Sequence, residues 1–257
     1  MIIDCANQKG GVAKTTTVVT LGHGLAMRGY RVLLVDLDPQ GHVALSLGLK
    51  KAPGILRLLS YGEDLRHLLM QARENLDILP SDKSTERAKR DLMSMDYRET
   101  VLSEALARAA ITEYDAIFFD TAPSLDVLHI AALQAAHWLL IPTKLDAMAL
   151  DGVNEVLKSA AEVNRHGGRI RDYRVLPTFY ERVTRETLHQ LQQLVGVFGT
   201  RVLPPIPSDT RVREAPSYGK TIFEYVPNSP ALSGYNGTTG GYLQIINRME
   251  DLINDRS

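Results

Sequence analysis

"NQKGGVAKTTT", residues 7–17, decides how the rest of the chain is read. A phosphate-binding loop ordinarily runs Gly, four residues, then Gly-Lys-Ser/Thr. Counting back from Lys14 and Thr15, the two glycine positions hold Gln8 and Ala13; the glycines are Gly10 and Gly11, behind a second lysine, Lys9. What the stretch keeps is its setting. The apolar run "MIIDCA" (1–6) precedes it, and a helix-like segment opens near Lys14. A strand, a glycine-rich loop and a helix start line up successive backbone N–H groups as an anion cradle, strengthened by the helix dipole. In such a cradle Lys14 reaches the β- and γ-phosphates and the Thr15 hydroxyl ligates Mg2+.

Outward from the loop, short apolar runs alternate with amphipathic stretches. "MIIDCA" (1–6), "RVLLVD" (31–36), "LDILPS" (76–81), "YDAIFFD" (114–120), "HWLLIPT" (137–143) and "YRVLPTF" (173–179) read as strands. A further short one, "RVLPPIP" (201–207), carries prolines that suit a sheet edge or a strand end. Near-continuous hydrophobicity is what a parallel sheet covered on both faces produces. Helix-like segments fill 14–28, 83–95, 99–110, 125–135, 152–164, 184–198 and 241–253, and Gly29 stands where the first helix wants a left-handed closing residue. The order predicts an α/β fold: a doubly wound, mostly parallel sheet with helices on both faces, forming one domain over 1–257. "NSPALSGYNGTTGG" (228–241), rich in glycine and serine, reads as a flexible surface loop.

Ligands of such folds sit at the carboxyl ends of strands, and two further motifs fall there. "VDLDPQG" (35–41) ends a strand with Asp36 and Asp38, and Pro39 and Gly41 turn the chain so that both carboxylates can face one site. A carboxylate here orients an attacking water or holds a metal-bound water; the plainer alternative is a pair of strand-end aspartates capping a helix. "AIFFDTAPS" (116–124) ends in Asp120, the metal-side carboxylate expected of a phosphate-loop NTPase, and Pro123 and Ser124 set a stiff turn able to respond to a γ-phosphate.

Composition narrows the classes. With 29 basic and 30 acidic residues the net charge is -1, which excludes a uniformly basic nucleic-acid coat but leaves room for a local patch. The single cysteine, Cys5, excludes an intrachain disulfide and a cysteine-rich metal site, and its place in the first apolar run makes it packing. No apolar stretch approaches the roughly 18–20 residues that span a bilayer, and no signal peptide precedes the first strand, so a soluble cytoplasmic protein is expected.

Taken together, "KGGVAKTT", "LLVDLDPQG" and "DTAPS" resemble the deviant-Walker-A ATPases, specifically the ParA/Soj partition proteins. The likeness covers nearly the whole chain, including "VLPTFYERVTRETL" and "PPIPSDTRVREAPSYGKTI" near its end. It implies ATP and Mg2+ as cofactors and a dimer closed around ATP. Lys9 is then the signature lysine, reaching the nucleotide of the other subunit. Residues Gly10, Gly11, Val12, Ala13, Lys14, Thr15 and Thr16 cradle the nucleotide of their own subunit. Thr15, Asp38 and Asp120 are implied on the metal side, with Asp38 the switch carboxylate near the attacking water. Pro207, Ser208 and Asp209 lie where the family holds adenine, and Arg185, Arg211 and Arg213 where it touches DNA non-specifically. A ParB-like partner with a basic N-terminal segment is implied to trigger hydrolysis, on a nucleoid-associated cytoplasmic protein. Two facing lysines add positive charge to a triphosphate in a closed site, so ATP glues the dimer and ADP holds it less well.

The chain departs from the family pattern in three places. Ala13 replaces a glycine and is tolerable only with ordinary backbone angles. "DTAPS" has one proline where two are usual, and "IPSD" (206–209) replaces Ile-Pro-Arg-Asn, removing a positive charge near the base.

Arg182, Arg185, Arg211, Arg213 and Lys220 cluster in sequence, and in a dimer two such patches make one basic strip; a solvated helix face laced with Glu181, Glu186 and Glu214 is the alternative. Lys83, Arg87, Lys89 and Arg90 read as an exposed helix face. The first strand begins at residue 1, so no N-terminal helix-turn-helix domain is expected. The last helix has Leu243, Ile246, Met249 and Ile253 at helical spacing, with Glu250, Asp251 and Asp255 on its polar face, which argues for core packing rather than membrane attachment. Two competitors remain: a positioner of non-DNA cargo on the same ATPase cycle, and a metabolic enzyme on the same nucleotide fold. A nitrogenase-type iron protein needs two cysteines per subunit, and cobyrinate amidation a glutaminase domain for which no room is expected.

Overall fold

A computed structural model describes residues 1–235 and 240–254. The central apolar runs become strands because they bury both faces: all five residues of Val32–Asp36 and of Ala116–Asp120 are buried. Among the described residues, β1 (Ile2–Cys5), β2 (Val32–Asp36), β3 (Met70–Arg73), β4 (Leu76–Leu79), β5 (Ala116–Asp120), β6 (Trp138–Lys144) and β7 (Asp172–Thr178) form one sheet ordered β3-β4-β2-β5-β1-β6-β7. Every pairing is parallel except β3 with β4. The predicted mostly parallel sheet is thus present.

The helices are α1 (Lys14–Ala26), α2 (His42–Ser46), α3 (Gly54–Tyr61), α4 (Thr85–Met93), α5 (Val101–Ala109), α6 (Val127–Ala135), α7 (Ala149–Arg165), α8 (Arg185–Phe198), α9 (Thr210–Glu214), α10 (Ile222–Tyr225), α11 (Pro230–Ser233) and α12 (Tyr242–Asn254). One face of the sheet packs Leu21 and Leu25 of α1 with Ile245, Ile246 and Met249 of α12 over Leu34, Phe118 and Leu140. The other face splits into a cluster under α3 to α6, around Leu33, Val35 and Phe119, and one under α7 and α8, around Leu139, Ile141 and Val175. Each fully buried aliphatic side chain contributes roughly 1.5–3 kcal/mol. The α1–α12 contact is set by Gly24, where an added Cβ would meet Ile246 Cδ1 at 2.2 Å and Phe223 Cζ at 3.1 Å.

The register aligns the strand ends that matter. Asp36 of β2 is opposite Asp120 of β5, which is opposite Cys5 of β1. The loop after β1 and the acidic ends of β2 and β5 therefore meet at the carboxyl edge of the sheet.

Several expectations are corrected. β3 was not foreseen because "MQAR" is a half-exposed edge strand with no apolar run. Segment 201–207 forms no regular strand. Leu203 N and Ile206 N still bond to Val175 O and Pro177 O, each at 2.8 Å, but prolines 204, 205 and 207 lack donors, leaving isolated bridges. The stretch 228–241 is not simply a surface loop: it contains α11, capped by the buried Ser229, and only 236–239 lie outside the described residues. Leu243 faces outward at 36% exposure, while Tyr242 and Ile245 take its place in the core; Asp255 lies outside the described residues. Lys89 is no solvated face residue. Its ammonium sits 2.8 Å from Asp126 with the side chain only 13% exposed.

Candidate nucleotide site

The loop between β1 and α1 is held from below. Buried Asn7 donates through Nδ2 to Pro142 O at 2.8 Å and accepts from Lys9 N at 2.9 Å. Lys14, the first residue of α1, is buried and curls back to donate to the carbonyls of Asn7 (2.8 Å) and Lys9 (3.0 Å). Val12 is buried, with its carbonyl accepting from Thr178 Oγ1 at 3.3 Å. Gly10 and Gly11 are exposed at the crest, Gly11 with φ 71°. Thr16 is half-buried in the first turn of α1.

Ala13 does not have ordinary angles. Its φ of 72° and ψ of 31° are left-handed, so the alanine occupies a conformation that favours glycine. It caps α1 with no side-chain bond, its carbonyl taking Thr17 N at 2.9 Å.

The acidic wall is assembled from three strand ends. Thr15 Oγ1 donates to Asp120 Oδ2 at 2.7 Å, while buried Asp120 Oδ1 has no partner among the described residues. Burial pushes the Asp120 carboxyl up to about 7, against the Thr15 hydroxyl and Lys14, with Asp38 adding to the rise. Asp36 is fully buried and accepts from Asp38 N and Val43 N, each at 3.1 Å. It therefore ties the β2 turn to α2, as the capping alternative has it. Burial, then the neighbouring Asp120, raises its carboxyl, partly offset by those two N–H bonds. Asp38 is half-buried on the turn and accepts from Gln40 N at 2.9 Å. Burial lowers the Lys14 ammonium, opposed first by Asp120.

Three features of this wall were not foreseen. Asp4, inside β1, is completely buried, and among the described residues neither carboxylate oxygen has a partner in good hydrogen-bond geometry; the adjacent Thr121 hydroxyl donates to Cys5 O at 3.3 Å. Burial and then Asp120 push Asp4 up to about 8, against Lys14 and Thr121. The visible signal was an aspartate inside an apolar run. Asp126 caps α6 through Leu128 N and His129 N, accepts from Ser124 at 2.8 Å and pairs with Lys89, so α4 anchors the turn after Asp120. His129 is buried with neither ring nitrogen bonded among the described residues, and burial lowers it to about 4.

Elsewhere the predicted residues separate. The Pro207–Asp209 loop is zipped to the end of β7, Tyr180 N bonding Ile206 O at 3.0 Å and Ser208 N bonding Tyr180 O at 2.9 Å. The Asp209 side chain is committed: it caps α9, accepts from Ser229 at 2.6 Å and takes the Arg211 guanidinium through two bonds of 2.8 and 2.9 Å. Arg185 and Arg213 are exposed, and Arg211 is the one of the three predicted DNA contacts that is forked onto a carboxylate among the described residues. Lys9 turns away from its own loop and donates to Met148 O.

A sequence profile described as an AAA domain matches residues 1–171. The chain is 38% identical over 235 residues to the chromosome-partitioning ATPase Soj of Thermus thermophilus, covering 91% of each chain. The chain belongs to the ParA/Soj family of partition ATPases. The chromosome partitioning protein ParA of Myxococcus xanthus is 34% identical over 242 residues, covering 91% of this chain and 84% of that one. Among solved structures, a cobyrinic acid a,c-diamide synthase from Mycobacterium smegmatis with bound ATP analogue and magnesium superposes with a TM-score of 0.74 at 34% identity, covering 81% of this chain and 85% of that one. No helix among the described residues is long and apolar enough to cross a membrane.

Proposed function

We propose that this chain is a single-domain, ATP-dependent partition switch that dimerises around ATP, holds DNA non-specifically and lets go after hydrolysis. The observation that carries the reading is the division of labour between two lysines of one loop. Lys14 is buried and bonded to loop carbonyls where phosphate oxygens belong; Lys9, five residues earlier, points outward to α7. An inward lysine serves the nucleotide of its own subunit. One that leaves its own phosphate cradle can serve a second.

In this scheme Lys14 and the N–H groups of Gly10 to Thr16 neutralise the phosphates, and Lys9 adds its charge from the partner. Thr15 and Asp120, with Asp38 beside them, fit Mg2+: hard oxygen donors, one of them the unpartnered Asp120 Oδ1. Among the described residues no three acidic, histidine or cysteine groups hold an ion by themselves, as suits a cation that keeps waters and phosphate oxygens. When bound, Mg2+ neutralises charge developing on the phosphates. Asp38, on the turn after β2, orients the attacking water, and the Asp120–Asp126 turn senses the γ-phosphate. Ser208 and the backbone of Pro207 and Asp209 face the base. A ParB-like partner accelerates hydrolysis on the nucleoid, in the cytoplasm.

Arg185→Glu and Arg213→Glu are expected to abolish retention on DNA while sparing ATP-dependent dimerisation, and each lost phosphate contact flattens the salt dependence by about one unit of log–log slope. DNA retention unchanged in the double variant sinks the assignment. The likeness to the diamide synthase carries a second reading, ATP-dependent amidation. Glutamine hydrolysis by the purified protein would establish it, and DNA-stimulated dimer retention without it would not.

A further inference from the structure

Behind the exposed arginines lies a polar hub that the nucleotide site does not use. Arg73, the last residue of β3, has all five of its N–H donors engaged. Nε and Nη2 fork onto the Glu224 carboxylate at 2.6 and 3.0 Å. Nη1 reaches the carbonyls of Ala72 at 2.7 Å and Leu47 at 3.1 Å, and Nη2 that of Gly219 at 3.1 Å. Leu47 closes α2, the helix after the Asp38 turn. Glu224, in α10, also accepts from Thr221 N at 2.8 Å, and the buried Thr221 Oγ1 lies 2.8 Å from Nδ1 of His23, inside α1. Burial works to raise the Glu224 carboxyl, but Arg73 and then the Thr221 N–H hold it at about 2. The backbones also meet here: a Cβ on Gly219 would stand 2.6 Å from Gly48 Cα.

The stretch from Asp209 to Glu224 is therefore anchored at both ends, by Ser229 on Asp209 and by Arg73 on Gly219 and Glu224. Between the anchors, Arg213 and Lys220 stand exposed. We propose that Arg73 is a positioning residue for DNA, which does not touch the duplex but sets where Arg213 and Lys220 stand relative to α1. The inference rests on the DNA-holding reading above and deepens it. Only 25% of the Arg73 side chain is exposed, and with every donor engaged it has none to offer a phosphate. A duplex presents phosphates at fixed spacings, so cations held in one arrangement lose less freedom on binding than cations on a loose segment. Lysine would keep the charge at 73, but its single nitrogen cannot make the planar fork.

Two variants separate placement from charge. Arg73→Lys keeps the charge and loses the fork. Glu224→Gln still accepts from Thr221 N, breaks the fork, and removes a negative charge beside the basic edge, so charge alone predicts tighter DNA and placement predicts weaker. Hydrogen exchange over residues 210–221, read by mass spectrometry, reports the segment. Anisotropy of a fluorescent duplex with ATP-loaded protein reports DNA, and light scattering reports ATP-dependent dimerisation. Both variants are expected to exchange several-fold faster over 210–221 and to lose about three- to tenfold in DNA affinity, with dimerisation unchanged. Exchange unchanged in both variants overturns the anchoring. Faster exchange with DNA held as well or better by Glu224→Gln overturns the positioning role, and so does dimerisation lost in step with DNA. A parent protein that dimerises with ATP yet holds no DNA overturns the underlying reading and this role with it; that failure is read on the parent alone, before any variant is compared.

Discussion

The acidic wall of the nucleotide site and the basic edge beyond β7 are both charged, and they handle charge in opposite ways. At the ends of β1, β2 and β5, Asp4, Asp36 and Asp120 are buried, and burial raises all three carboxyls; the Lys14 ammonium works against the rise at Asp4 and Asp120. Before and at the start of α8 and in α9, Arg182, Arg185 and Arg213 stand in solvent. In the first region every charge has a fixed neighbour, so one substitution is felt by the rest. In the second, charge acts as a sum over a surface, and substitutions add.

The harshest way to break this contrast is Lys14→Ala. It removes the buried cation that opposes the rise at Asp4 and Asp120 and the ammonium meant for the phosphates. Loss of a charged, buried donor costs about 3 kcal/mol or more, so ATP affinity is expected to fall by at least about two orders of magnitude. Titration calorimetry with ATP checks it. If Lys14→Ala weakens ATP no more than Arg213→Glu does, the two regions do not differ as argued.

Asp4→Asn sharpens the contrast within the acidic wall. The folded carboxyl titrates at about 8 against 3.8 for the free group, so across that window the folded state holds a proton the unfolded state has released. Stability from this group is fully present below about pH 4 and is lost as pH rises through about 8. Asparagine keeps the shape and has no charge to desolvate. The nucleotide-free variant is expected to melt several degrees above the parent near pH 8.5 and by far less near pH 5. His129 acts in the opposite direction: held down to about 4, it loses stability as pH falls from about 6.5. A melting difference independent of pH would show that Asp4 is already neutralised by a bonded partner.

How much of this was legible depends on the range of the interactions. Most of the strands and the start of α1 follow from local apolar runs and from loop context; Lys14 and Thr15 open α1, and Asp36 and Asp120 end β2 and β5. Asp209, two residues before Arg211, is itself held by Ser229, 20 residues further on, and Lys89 is held by Asp126; those longer links do not show in a local window. Lys9 was expected to act across a dimer, but its seat on α7 lies 139 residues along the chain and involves a backbone carbonyl, which has no sequence signature. Asp4 was on view as an acid in an apolar run and was passed over because the run as a whole read as a strand. β3 was missed because an edge strand needs no apolar pattern.

Ala13 gives the gentlest prediction. A non-glycine residue in the left-handed region costs roughly 1–2 kcal/mol, and glycine there forfeits about 0.4–1 kcal/mol through the freer unfolded chain. The difference favours Ala13→Gly by at most about 1.6 kcal/mol, a rise in Tm of no more than about 3–6 °C. The same change relaxes the residue whose carbonyl starts α1, next to Lys14, so ATP binding is expected to hold or tighten slightly. A clear fall in Tm would mean that the alanine methyl is worth more in contacts than its backbone angles cost. The acidic wall would then be supported by packing at the loop as well as by the charges that meet behind it.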